Sequence, residues 1–192
     1  MAQFETHRPH AGSPAIFLDR DGIVNVRRID DYVKRWEEFT FLPEIFEVLP
    51  EIHRMGLPAV LVTNQRGIGR GLMSEEDLTE IHAAMQRELE LRCGHRFDAI
   101  YHCPHERDAG CSCRKPLPGM LLSAGADLGV DLGGSWMIGD SESDIEAGRA
   151  AGCHTAKVDP DRRPSAAEIV APDLGEAWRQ VRRSLDRQHA PR

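Results

Sequence analysis

Apolar residues along the chain fall into short blocks separated by stretches with helical spacing. Residues 15–18 (AIFL), 59–62 (AVLV), 97–101 (FDAIY), 135–138 (SWMI) and 154–158 (HTAKV) are brief apolar-rich runs, several ending in polar residues. Runs of that length predict strands buried on both faces. Between them, Ile45, Phe46, Leu49 and Ile52 form a stripe at helical spacing that Pro43 opens. Pro50 sits inside the stripe and predicts a kink or a split. Ser74, followed by acidic residues at 75–77, caps a second helix whose Leu78, Ile81, Met85 and Leu89 share a face. Further helices are predicted from Pro118 to about 128, from 144 to 151 with Gly152 as the stop, and over about 173–187. Residues 23–42 have no clean period and predict a long loop, and residues 66–71 (RGIGRG) a flexible basic one. Residues 1–14 are polar and predict a disordered tail.

Strands that alternate with helices predict an α/β fold: a three-layer, Rossmann-like parallel sheet with helices on both faces. One domain over 15–188 accounts for the pattern, with a small excursion at 103–113 and no large cap domain. In such sheets ligands bind beyond the carboxyl ends of the strands. The chain has 192 residues, 41% hydrophobic and 29% charged, an ordinary soluble balance. A net charge of −7 argues against broad binding to nucleic acid or anionic membrane. No apolar run approaches the ~20 residues of a membrane span, and the N-terminal stretch lacks the apolar core of a signal peptide. A cytoplasmic location follows as an expectation, and disulfides are rare there. Five cysteines, an odd number, read better as reduced thiols or a metal site. Small size and the lack of an added cap predict a monomer.

Three predicted strands end in residues able to do chemistry. Asp19-Arg20-Asp21-Gly22 sets two carboxylates one residue apart, which a hard divalent cation would relieve. Asp is also a nucleophile toward phosphorus. Asp and Gly are equally the residues of a strand-end turn, so for this motif alone both readings stand. Thr63-Asn64-Gln65 offers donors for a phosphoryl oxygen, or is merely a polar strand exit. Asp140 opens a second acidic group, in which Ser143 or Asp144 could simply cap the next helix. Arg114-Lys115 suits a phosphate, though two isolated cations are commonly surface charges.

The order of these pieces, D-x-D-G, T-N-Q, K and G-D-x-x-x-D, resembles the haloacid dehalogenase superfamily of phosphohydrolases over residues 15 to about 158. The stretches TNQRGIGRG (63–71) and CPH-x5-C-x-CRKP-x-PGM (103–120) resemble the D,D-heptose 1,7-bisphosphate phosphatases and the related histidinol-phosphatases. The resemblance implies a magnesium-dependent phosphatase acting on a small phosphorylated sugar. Removal of the C7 phosphate of heptose 1,7-bisphosphate comes first, and histidinol phosphate is the alternative. A zinc-stabilised binding module is the reading from outside the enzymes, disfavoured because Asp19, Asp21, Lys115 and Asp140 are all intact. The resemblance makes Asp19 the nucleophile and Asp21 the acid and base. Thr63 and Lys115 hold the phosphoryl group, and Asn64, Gln65, Arg66 and Arg114 contact substrate. Asp19, the backbone carbonyl of Asp21 and Asp140 bind magnesium, with Asp144 assisting through water. The heptose phosphatases carry Lys after the Gly-Asp pair where this chain has Ser141, which removes a positive charge from the expected pocket.

Cys103, His105, Cys111 and Cys113 offer three sulfurs and a nitrogen, a set that suits tetrahedral zinc with no position left open. The resemblance supports a structural zinc there, against free cysteines beside a surface histidine. Cys93 and His95 repeat the C-x-H spacing, and His102 is a further possible ligand. Cys103 and His105 are preferred because they close the shorter loop. The clip is expected to fix the backbone of Arg114 and Lys115, which follow the last ligand.

Overall fold

The computed structural model describes residues 12–29 and 31–189. Among them are β1 (Ile16–Leu18), β2 (Ala59–Asn64), β3 (Ala99–Cys103), β4 (Trp136–Gly139), β5 (His154–Val158) and β6 (Ile169–Ala171). The helices are α1 (Ile45–Arg54), α2 (Arg66–Gly69), α3 (Glu75–Cys93), α4 (Gly119–Leu128), α5 (Glu142–Ala150) and α6 (Leu174–His189). The strands form one parallel sheet in the order β3-β2-β1-β4-β5-β6. Successive side chains alternate across it. Ile16, Leu18, Leu61, Trp136 and Ile138 pack with α1, α3 and α6, whereas Ala15, Phe17, Val60, Val62 and Met137 pack with α4 and α5. Both faces are therefore dry, as the apolar runs require. Each fully buried Leu, Ile or Val stabilises the fold by about 1.5–3 kcal/mol.

Several expectations are corrected. Pro50 does not split α1, which runs continuously over Ile45–Arg54. Proline forfeits one backbone donor there, but burial of Ile45, Val48, Leu49 and Ile52 holds the turns on either side. The stretch expected as a flexible loop after β2 contains the helical turn α2, anchored by a bond from Gly69 N–H to the Pro104 carbonyl at 2.9 Å. Residues 23–42 are not featureless. Val26 N–H donates to Thr40 O at 2.8 Å and Leu42 N–H to Val24 O at 2.9 Å, and Trp36–Glu38 form a 3-10 turn. α5 begins at Glu142 rather than 144, because Ser141 and Asp144 cap it reciprocally. β6 was not foreseen. Of the expected tail, residues 1–11 lie outside the described residues. Gly12 N–H donates to Gly129 O at 2.7 Å and Ser13 O accepts from Asp131 N–H at 3.0 Å. Among the described residues no helix is long and apolar enough to cross a membrane.

Candidate active site and metal centres

β1 lies between β2 and β4, so the chain leaves it first to one side of the sheet and later to the other. A crevice opens at the carboxyl ends of strands at such a reversal. Asp19 follows β1, Thr63 lies at the end of β2 and Asp140 follows β4. Lys115 enters from the loop before α4 and is 3% exposed. Its Nζ lies 2.8 Å from Asp19 Oδ1, 2.6 Å from Asp144 Oδ1 and 2.7 Å from the Val62 carbonyl. Burial opposes its charge, but the carboxylates of Asp144 and Asp19 outweigh that and raise its pKa. The backbone of Lys115 is clamped as well. Asn64 Nδ2 donates to its carbonyl at 3.0 Å, and its N–H donates to Asn64 Oδ1 at 3.1 Å.

One carboxylate oxygen each from Asp19, Asp140 and Asp144 lies within 4.8 Å of the others. Burial, then the charges of its neighbours, raises Asp140 to about 7. Burial likewise raises Asp19 to about 6, although Lys115 opposes it. Asp140 Oδ2 meets Arg27 Nη1 at 2.9 Å, while its Oδ1 is buried with no hydrogen-bond partner among the described residues. A buried carboxylate oxygen without a donor is costly. An all-oxygen cluster short of positive charge fits magnesium. Asp19 and Asp140 could hold it, with Asp144 committed to Lys115 and to the cap of α5. The glycines of both acidic motifs are dictated by this crowding. Gly22 has φ +95°, and a Cβ on it would run into the Asp140 carboxylate, as one on Gly139 would into that of Asp144.

The Asp21 carboxylate lies outside that cluster and is caged. It accepts from Arg20 Nη2 at 3.0 and 2.9 Å, from Asn25 Nδ2 at 2.9 Å and from Gln65 Nε2 at 3.1 Å. Burial raises its pKa, but the Arg20 charge and these donors together lower it below the ordinary carboxylate value. Gln65 Nε2 also donates to Thr63 Oγ1 at 2.9 Å. The amides of Asn64 and Gln65, expected to touch substrate, thus also bond within the protein, Asn64 from the wall of the cleft. Arg66 Nε is tied to Glu106 Oε2 at 2.8 Å, and Arg114 Nη1 to the His105 carbonyl at 3.3 Å. A cleft of about 430 Å³ beside Lys115 is lined by Asn64, Arg107, Arg114, Leu117 and Ser143 among others.

Cys103, His105, Cys111 and Cys113 converge as expected. Cys103 Sγ lies 3.7 Å from Cys111 Sγ and 3.5 Å from His105 Nδ1, which is 3.3 Å from Cys113 Sγ. Tetrahedral zinc with Zn–S of ~2.3 Å and Zn–N of ~2.0 Å sets such edges at roughly 3.5–3.8 Å, so the four atoms could hold it after a small opening of the His105–Cys113 edge. Burial and the neighbouring sulfurs push the Cys113 thiol up to about 12. A bound cation reverses that preference, since the ligand is the thiolate. The rival ligands are engaged elsewhere: Cys93 Sγ with the Leu89 carbonyl at 3.1 Å, the His95 ring stacked on His53, and His102 with Glu75 at 2.8 Å.

Arg20, Asn25 and Arg107 were not singled out from sequence. Only the central position of Arg20 in D-x-D-G could have drawn attention to it, because a cation between two carboxylates at the end of a buried strand has a partner at hand.

The HAD-hydrolase-like family model matches residues 112–177. A D-glycero-beta-D-manno-heptose-1,7-bisphosphate 7-phosphatase of Pseudomonas aeruginosa is 42% identical over 143 residues, covering 74% of this chain and 79% of that protein. A D-glycero-alpha-D-manno-heptose-1,7-bisphosphate 7-phosphatase of Burkholderia mallei is 41% identical, covering 82% and 85%. A crystal structure of the D,D-heptose 1,7-bisphosphate phosphatase of B. bronchiseptica, complexed with magnesium and phosphate, superposes with a TM-score of 0.81. It is 36% identical and covers 89% of this chain and 99% of that one. With identity at this level across most of both chains, and the acidic cluster, lysine and cysteine loop assembled as described, the chain belongs to the heptose-1,7-bisphosphate 7-phosphatase family of HAD-like hydrolases.

Proposed function

We propose that the chain is a magnesium-dependent phosphatase that removes the C7 phosphate of D-glycero-D-manno-heptose 1,7-bisphosphate through an aspartyl-phosphate intermediate. The observation that carries this reading is the buried Lys115 ammonium bridging Asp19 and Asp144, next to a partnerless Asp140 oxygen, at the sheet's switch point.

Asp19 attacks phosphorus and the bond to the sugar oxygen breaks, that oxygen taking a proton from Asp21. Asp21 then takes a proton from water, whose oxygen attacks the same phosphorus. The bond to Asp19 breaks and phosphate leaves. Asp21 is a carboxylate in the resting site, and an arriving phosphate dianion favours its protonated form. Thr63 and Lys115 hold the phosphoryl oxygens. Magnesium, held by Asp19, the Asp21 backbone carbonyl and Asp140, would neutralise charge between carboxylate and phosphate. Arg66 and Arg114 face the rest of the substrate. Asn64 and Gln65, in this reading, orient Lys115, Thr63 and Asp21 rather than touch sugar. Zinc on the cysteine loop is structural. The partner is a small sugar phosphate rather than nucleic acid or membrane, in keeping with the net charge of −7. The reading includes a monomer in the cytoplasm.

The test is phosphate release from both anomers of heptose 1,7-bisphosphate and from histidinol phosphate, with magnesium and with chelator. Magnesium-dependent release from a heptose anomer is expected. Turnover of histidinol phosphate alone would move the assignment to the related family. No release by folded, zinc-loaded protein would leave a zinc-stabilised binding module.

A further inference from the structure

Arg20 sits between the two aspartates in sequence, yet its side chain leaves the reacting centre. It is 1% exposed, and its guanidinium pairs with the side chains of Asp21 and His82. Nη2 donates to both oxygens of Asp21 at 3.0 and 2.9 Å, and Nη1 lies 3.5 Å from His82 Nε2 on α3. Burial, then the Arg20 charge, pushes His82 down to about 3, so its ring is neutral, and with the proton on Nδ1 its Nε2 accepts from Arg20. Arg20 Nε is buried with no hydrogen-bond partner among the described residues. A buried cation is expensive, and a strand end that needed only packing would be served by an aliphatic residue. What this arginine supplies is direction. Asn25 and Gln65 hold Asp21 from other sides, but Arg20 alone reaches both of its oxygens and is itself braced by a long helix of the core.

We infer that Arg20, braced by His82, is a positioning residue that aims the Asp21 carboxylate at the leaving oxygen and at the attacking water. This rests on the acid and base role proposed for Asp21. It separates substrates by their leaving group. A sugar alkoxide must be protonated as it departs, whereas p-nitrophenolate need not be. Hydrolysis of the aspartyl phosphate needs the base in either case.

The experiment is rapid-mixing kinetics of Arg20→Met with a heptose bisphosphate and with p-nitrophenyl phosphate, in the wild-type and Asp21→Asn backgrounds. With the sugar phosphate, kcat is expected to fall about 10²-fold, the low end of general acid–base catalysis, with KM little changed. With the aryl phosphate, one equivalent of nitrophenolate per site should appear in a burst before a slow steady state. In the Asp21→Asn background, Arg20→Met should cost less than about 2-fold more, since there is no acid left to aim. Equal losses on both substrates without a burst, or an undiminished loss in the Asp21→Asn background, would overturn the inference. Should Arg20→Met lack a cooperative melt, His82→Leu takes its place, keeping the ion pair and removing the brace. It is expected to lower kcat about 3- to 10-fold at constant KM, again only when Asp21 is present; unchanged kcat overturns the inference. A wild-type protein that releases nothing from either phosphate overturns the phosphatase reading and this one together, whereas an active wild type with no effect at Arg20 overturns this one alone.

Discussion

Asn64 and Lys115 are 51 residues apart in sequence and share two hydrogen bonds, so the amide fixes the lysine's backbone as the carboxylates fix its ammonium. Asn64→Ala is therefore expected to lower kcat about 10-fold with a modest change in KM, the cost of one misplaced charge at the transition state. A rise in KM alone would return Asn64 to substrate contact. Asp19→Asn should reduce turnover to background while the protein still melts cooperatively, because it removes the nucleophile. Arg114 lines the cleft, and its Nη1 donates to the His105 carbonyl at 3.3 Å. Arg114→Ala should raise KM by about 10-fold or more, the loss of a charge-assisted hydrogen bond to an anion. A steady-state assay on the heptose bisphosphate decides each case.

At the scale of elements, the cysteine loop is fastened to the turn after β2 at several points. Gln65 N–H donates to Cys103 O at 2.8 Å, Gly69 N–H to Pro104 O at 2.9 Å, and Arg66 pairs with Glu106. The loop has little core of its own, and metal binding offsets the entropy of ordering it. Cys113→Ser should lose zinc and lower kcat by about 10- to 100-fold, the range for disturbed metal shells. Hydrogen exchange should quicken over residues 103–119 and leave β1, β2 and β4 protected. A zinc-free protein with full turnover would deny the loop any part in holding Lys115. These elements were unequally legible from sequence. The runs at 15–18, 59–62 and 135–138 announced themselves because a strand dry on both faces can contain almost nothing polar. β6 is three residues at the sheet edge with no period to detect. The turn α2 was hidden by its glycines, which read as flexibility until the neighbouring Pro104 carbonyl is known. Pro50 misled because local backbone chemistry was weighed without the tertiary burial that overrides it.

At the scale of the whole molecule, the parallel topology gathers residues 19, 63, 115 and 140 at one end of the sheet, and their order was readable as a family pattern. The caging of Asp21 and the committed amides of Asn64 and Gln65 were not, because they depend on which side chains face inward around a shared point. The same assembly has a thermodynamic consequence. Asp140 titrates at about 7 and Asp19 at about 6 in the folded protein, against an ordinary 3.8, chiefly because both are buried. Between about pH 4 and 7 the folded state therefore binds more protons at these sites than the unfolded chain does. Their contribution to stability is fully present below the unfolded pKa and is lost as pH rises through 6 and 7. Magnesium replaces those protons as the source of positive charge, so its stabilisation should grow as the carboxylates ionise. The melting temperature in chelator is expected to drop between about pH 5 and pH 8 more steeply than in millimolar magnesium. Groups elsewhere titrate alike in both curves, and the difference isolates the site. Asp140→Asn should flatten the chelator curve and shrink the magnesium shift at the higher pH. A magnesium shift that ignores pH, or that survives unchanged in Asp140→Asn, would place the ion away from this cluster.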